Sequence, residues 1–195
     1  MNRLKLFLES PDFLQTIVTE AEKNNETARY LVAGLSDSQL NWKPSPKVWS
    51  IAQCLQHLTI ASSEFERYFT KAIEQARTKR PVSAPLAYRP SMIGGWLIKQ
   101  LVPETTRKAP APKIFRPAES SSIHDALGSF LKQQERFLGF VRESEGIDYN
   151  RARLRSPVTP LMRYSLADAF VVTIVHEQRH LGQGRRICEL PGFPA

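Results

Sequence analysis

Apolar residues recur every three or four positions in four long segments of the chain, the period of a helix with one buried face. In the first segment, about Ser10 to Leu35, the stripe is Leu14, Ile17, Val18, Ala21, Ala28, Leu31 and Leu35. Ser10 is placed to cap it, with Pro11 at the first helical position. The second runs from Ser50 to about Arg77 with Ile51, Cys54, Leu55, Leu58, Phe65 and Phe69 in phase. Ser50 and Gln53 have the spacing of a capping box, each side chain satisfying a free backbone N–H. The third, about Ser122 to Glu145, buries Ile123, Leu127, Phe130, Leu131, Phe137, Leu138 and Val141, with Ser122 and Asp125 spaced as a cap pair. The fourth runs from about Ser165 to Leu190, opens on Ser165 and Asp168, and is stopped by Pro191. No segment alternates long enough with β-branched residues to predict a strand. Four amphipathic helices and no sheet predict an all-α helix bundle.

The links between these helices are unequal. Arg77 to Pro117 contains Pro81, Pro85, Pro90, Pro103, Pro110, Pro112 and Pro117, half of the chain's 14 prolines. A long helix is excluded there, although a short one fits Ser91 to Leu101. One long link predicts a bundle with a crossover, built as a single domain over 1–195 with an insertion at about 78–118. Charge follows the same division. Between Arg77 and Arg116 there are nine basic residues and one acid, Glu104, so this stretch holds the whole formal excess of +8. Such a stretch serves nucleic acid, a membrane surface or an anionic small molecule, or only keeps a loop solvated. No window approaches the ~20 consecutive apolar residues of a membrane span, and the first residues do not read as a signal peptide. A cytoplasmic protein without a membrane partner is the expectation. Cys54 and Cys188, both in predicted helices, read as free buried thiols.

Candidate chemistry lies in the histidines. His176 and His180 stand four apart on the fourth helix, so both imidazoles share one face and can reach one ion. Ala169, Val172, Thr173, Gln183 and Ile187 fall in the same stripe, which points inward. His57 lies at the inner edge of the second helix. Burying three imidazoles without partners costs roughly a few kcal/mol; a metal ion turns that cost into a gain. Three nitrogens and an open position describe catalytic zinc. Because Glu177 follows His176, the stretch also fits H-E-x-x-H of zinc proteases, but Gln183 and Arg186 stand where the longer metzincin form has Gly and His. Glu177 and Gln183 are candidate partners for the ligand imidazoles, with Glu177 one residue off the stripe. His124, in the first turn of the third helix, reads as a surface residue.

The segment from Leu35 to Leu58 holds L-x-x-x-Q-L-x-W-x-P (Leu35, Gln39, Leu40, Trp42, Pro44), then W-S-I-x-x-x-x-x-H-L (Trp49, Ser50, Ile51, His57, Leu58). With His176-x-x-x-His180 on the last helix, the chain resembles the DinB-like (DinB/YfiT) family along essentially its whole length. The Lys108 to Pro117 run also looks like a segment found before the third helix in some members. The resemblance implies an up-down-down-up four-helix bundle with zinc or nickel on His57, His176 and His180. It implies a homodimer, and relatives that are bacillithiol- or mycothiol-dependent transferases.

Residues and resemblance together lead to a metal-dependent thiol-S-transferase acting on small electrophiles. One divalent ion would favour the thiolate of a low-molecular-weight thiol and so create the nucleophile at neutral pH. Basic residues of the insertion, Arg107, Lys113 and Arg116 among them, are candidates to hold the thiol's carboxylates. The same ion could instead activate water in a hydrolase, or the bundle could bind metal or ligand without catalysis. A nucleic-acid role lacks a helix-turn-helix pattern and enough aromatics for stacking. Trp42 and Trp49 read as packing residues around the second helix's start.

Overall fold

The computed structural model describes residues 3–105, 110–117, 125–159 and 161–195. A short helix, α1 (Arg3–Leu8), buries Phe7 against the bundle. The first long helix is α2 (Phe13–Val32). Its cap is Asp12, whose side chain accepts from Gln15 N, while the Ser10 hydroxyl bonds to Asp12 O and Thr16 Oγ1. Asp12 displaces the expected Ser10 because Phe13 must start the helix to reach the core, and a carboxylate suits the positive end of the helix dipole. After Gly34, at φ +76, the chain forms a further short helix, α3 (Asp37–Asn41), capped by a Ser36–Gln39 box.

The second long helix, α4 (Ile51–Arg77), starts on the expected Ser50–Gln53 capping box. The crossover contains α5 (Met92–Leu101), capped by Ser91, and a single 3-10 turn at Lys113–Phe115. The third long helix, α6 (Ala126–Glu143), begins later than the expected Ser122, which lies outside the described residues along with His124. Asp125 is the cap of this helix, at φ +50, its side chain accepting from Gly128 N. Two strands follow, β1 (Arg153–Arg155) and β2 (Arg163–Ser165), paired antiparallel with Leu154 opposite Tyr164. They overturn the expectation of no strand: three residues each are too short to show a period of two in sequence. The last helix is α7 (Leu166–Cys188), with the expected Ser165–Asp168 capping box.

Side-chain pairs give the direction of each helix. Ser62, Glu66, Phe69 and Arg77 of α4 meet Gln133, Arg136, Phe140 and Glu143 of α6 in the same order, so these helices run parallel. Asn24 of α2 likewise meets Ile174 and Glu177 of α7, and Leu31, two turns on, meets Gly184. In α4 and α7 the order is reversed, His57 facing His176 and Phe69 facing Phe170. The topology is up-down-down-up, and the parallel α4–α6 pair is why the link between them is long.

Asp168 does a second job. Fully buried, it accepts from the Tyr88 hydroxyl at 2.8 Å and from Ser91 N, as well as from Ser165 N. It therefore ties the crossover to the start of α7. The approach is close: a Cβ at Gly94 would stand 2.1 Å from Asp168 Cγ, so only glycine lets α5 dock there.

Two apolar clusters fill the bundle. One is rich in aromatics, with Phe13, Phe69, Phe137 and Phe170; the other holds Ala28, Ile51, Leu55, Phe130, Leu181 and Ile187. Where they meet, every long helix contributes a polar residue: Asn24, His57, Gln134, and His176 with Glu177. That polar layer is the functional candidate.

Candidate metal centre

His57 comes from the second turn of α4, His176 and His180 from successive turns of α7. The antiparallel packing of these helices brings the three rings to centroid separations of 5.0, 4.5 and 4.7 Å. One ring nitrogen from each lies within 4.8 Å of the others. His57 is 1% exposed, whereas His176 keeps part of its surface.

Hydrogen bonding decides which nitrogens are available. His57 Nδ1 is 2.7 Å from the carbonyl of Phe115. A carbonyl can only accept, so Nδ1 carries the proton and Nε2 presents a lone pair. His180 Nδ1 is 3.0 Å from Gln183 Oε1, which leaves its Nε2 free by the same reasoning. His57 Nε2 lies 3.1 Å from His176 Nε2. Tetrahedral zinc with bonds of about 2.0–2.1 Å separates its nitrogens by roughly 3.3–3.4 Å. The donor set therefore fits a divalent cation of zinc's size with little movement.

Electrostatics agree. Burial lowers His57, with the Phe115 carbonyl opposing; burial and the neighbouring imidazoles hold His176 well below the usual histidine range. Burial and His57 bring His180 down to about 3. All three rings are neutral at physiological pH, the state in which imidazole ligates a metal. Trp49 packs on this group, its ring 4.7 Å from His57 and 5.8 Å from His180. It was expected only to pack at the start of α4; it is also a wall of the centre. Phe115, itself buried, covers His57 edge-on.

Glu177 does not serve the imidazoles. One residue past His176, it is turned about 100° around α7, and its Oε2 accepts from Asn24 Nδ2 at 2.8 Å and Gln134 Nε2 at 2.9 Å. Burial raises its carboxyl to about 7. A pocket of about 20 Å³, room for one water, is lined by Ser62, Thr173, His176 and Glu177 with apolar neighbours. Lys113 and Arg116 are exposed on the turn carrying Phe115, and Arg116 Nε donates to Ala111 O. Arg107 lies outside the described residues. Cys54 is buried as expected and burial pushes its thiol up to about 12, while Cys188 is only partly buried.

The Phe115 carbonyl and the Asn24–Gln134 pair were absent from the sequence reading. A backbone acceptor has no sequence signature. Asn24 and Gln134 could have been found as lone polar residues within apolar stripes.

Comparison with known proteins follows the same outline. The family model described as the DinB superfamily matches residues 20–183. The Bacillus subtilis (strain 168) protein named "Uncharacterized protein YuaE" is 28% identical over 162 residues, covering 80% of this chain and 87% of that protein. No solved structure matches the chain.

Proposed function

We propose, on the premise that this chain belongs to the DinB superfamily, that it is a metal-dependent thiol-S-transferase whose cation is held by His57, His176 and His180. The observation that carries the reading is the convergence of three ring nitrogens within 4.8 Å, with a lone pair on Nε2 of two rings because their Nδ1–H groups donate to acceptors on the far side. A divalent ion there supplies stabilisation of a thiolate, which lowers the thiol pKa to create a nucleophile at neutral pH.

The chain's residues do the rest. The Phe115 carbonyl and Gln183 hold two imidazoles in one tautomer and orientation. Trp49 and Phe115 wall the centre from bulk water, which strengthens every charge interaction inside it. Burial pushes the Cys54 thiol up to about 12 and raises Cys188 as well, so in this reading the sulfur arrives with a small molecule. Lys113 and Arg116 flank Phe115 in the chain, and in this reading they receive the carboxylates of that thiol.

One observation favours a second reading, a hydrolase or a non-catalytic metal binder. The pocket beside His176, at about 20 Å³, admits a water but not a thiol with its electrophile. Metal analysis of untagged protein by mass spectrometry, alongside His180→Ala, comes first. About one equivalent of zinc or nickel in the wild type and none in the variant is expected; a wild type that takes up neither metal on addition sinks both readings. Metal-loaded protein is then assayed with bacillithiol or mycothiol and a haloarene. Thioether formation that disappears in His180→Ala supports the transferase, and metal uptake without turnover leaves the second reading.

A further inference from the structure

We propose that the face built by α5 and the β1–β2 hairpin docks this protein on an anionic phospholipid surface. Between these elements is a hollow of about 490 Å³ lined by Met92, Ile93, Trp96, Thr159, Leu161 and Met162. Its rim projects rather than folds inward: Leu161 is 94% exposed, Met92 90% and Trp96 55%. Isolated apolar side chains on a surface are ordinary, but a contiguous group of them marks a place of contact.

The charges carried by the same stretches of chain name the partner. In the hairpin, Arg155 is the direct cross-strand neighbour of Arg163, and Arg153 stands two residues along on the same exposed face. Like charges directly opposite destabilise a strand pair. Among the described residues none of these three arginine side chains has a hydrogen-bond or ion-pair partner. Residues 86–102 and 151–165 contain Arg89, Lys99, Arg151, Arg153, Arg155 and Arg163 and no acid. Among the described residues of these stretches only Arg151 forms an ion pair, with Asp148.

Apolar prongs beside unpaired guanidinium groups match the boundary between acyl chains and phosphates. Leu161, Met92 and Trp96 enter the interface while the arginines meet phosphate oxygens. A second copy of the chain fits poorly, because a two-fold contact would set one arginine face against the other. Nucleic acid would satisfy the charges but not Leu161 and Met92, and Trp96 is the one aromatic lining the hollow. Among the described residues no helix is long and apolar enough to cross a membrane, so the association is with the surface.

Vesicle flotation of the full chain tests this. Vesicles of phosphatidylcholine alone are compared with vesicles in which phosphatidylglycerol is mixed. The wild type is expected to float with the mixed vesicles, and binding to plain phosphatidylcholine to be at least about tenfold weaker. Two double variants, Met92→Ser with Leu161→Ser and Arg155→Gln with Arg163→Gln, alter exposed side chains only, and circular dichroism checks that both stay helical. Each is expected to weaken binding to mixed vesicles about tenfold. Absence of wild-type flotation, or equal flotation on both vesicles, overturns the proposal. So does binding that survives the apolar variant while duplex DNA competes it away, the pattern of a general polyanion site. A wild-type dimer that the apolar variant dissociates also overturns it, by giving the face to a second copy.

Discussion

His176 and Glu177 are adjacent in the chain and belong to two different polar sites. The imidazole faces α4, where His57 and His180 complete a group of nitrogens with converging lone pairs. The carboxylate faces α2 and α6, where Asn24 and Gln134 donate to one of its oxygens. Both sites sit between the same two apolar clusters. The first bonds the outer nitrogens of His57 and His180 and turns inner ones toward each other; in the second, two amide N–H groups share one carboxylate oxygen while Gln134 Oε1 is left without a partner. The difference teaches that buried polarity by itself does not mark a metal site. What marks it is ring nitrogens from three imidazoles gathered around one point.

The largest expected effect separates the sites directly. His176→Ala should cut zinc affinity by more than the about 100-fold upper range for losing an outer hydrogen-bond partner, read by competition with a chromogenic chelator. Glu177→Ala in the same titration should change affinity by less than about threefold. Equal losses in both would mean one site rather than two.

Gln183→Ala should weaken metal binding about 10–100-fold, since His180 would lose the acceptor that fixes its tautomer. Unchanged affinity would show that packing against Trp49 alone orients that ring.

Stability should respond in the opposite order. Glu177→Ala takes the acceptor from Gln134 Nε2 and leaves Asn24 Nδ2 only the Ile174 carbonyl, and should cost about 1–3 kcal/mol in urea unfolding of metal-free protein. Glu177→Gln keeps an oxygen for them and should cost less.

The smallest effect is the pH dependence of the metal-free protein, and its sign differs between the sites. The histidines have folded-state pKa values below that of the unfolded chain, so their contribution is present above about 6.5 and is lost as pH falls towards His180's value of about 3. Glu177, raised from 4.5 to about 7, contributes below 4.5 and loses that contribution as pH rises through 7. Three histidines outweigh one carboxyl, so urea midpoints should rise between pH 4 and 7 and level off above that. Glu177→Gln should steepen the rise above pH 5; His180→Ala should soften it. A wild-type curve that is flat or falls with pH would mean that the fold does not hold the imidazoles neutral.

Much of the fold was legible because its signals are local. Ser50–Gln53 and Ser165–Asp168 formed the expected capping boxes, and Ser91 capped the short crossover helix, since each cap needs only its own first turn. Local evidence failed where two answers competed within a few residues. Ser10 and Asp12 both suit a helix start, and burial of Phe13 chose between them. The β1–β2 pair eluded the sequence because three-residue strands exist only through their pairing.

By itself, the amino-acid sequence determined four helices, their buried faces, and the presence of His176 and His180 on one side of the last. Helical hydrogen bonds close within four residues, so these features are written into short stretches of chain. Tertiary structure alone decided that His57 meets that pair, that Phe115 gives a backbone carbonyl to it, and that Glu177 turns to Asn24 and Gln134. Those contacts join residues far apart in sequence, and packing sets the rotation and register of each helix. A backbone carbonyl is the same at every position, and only the fold can select the one that orients a ligand.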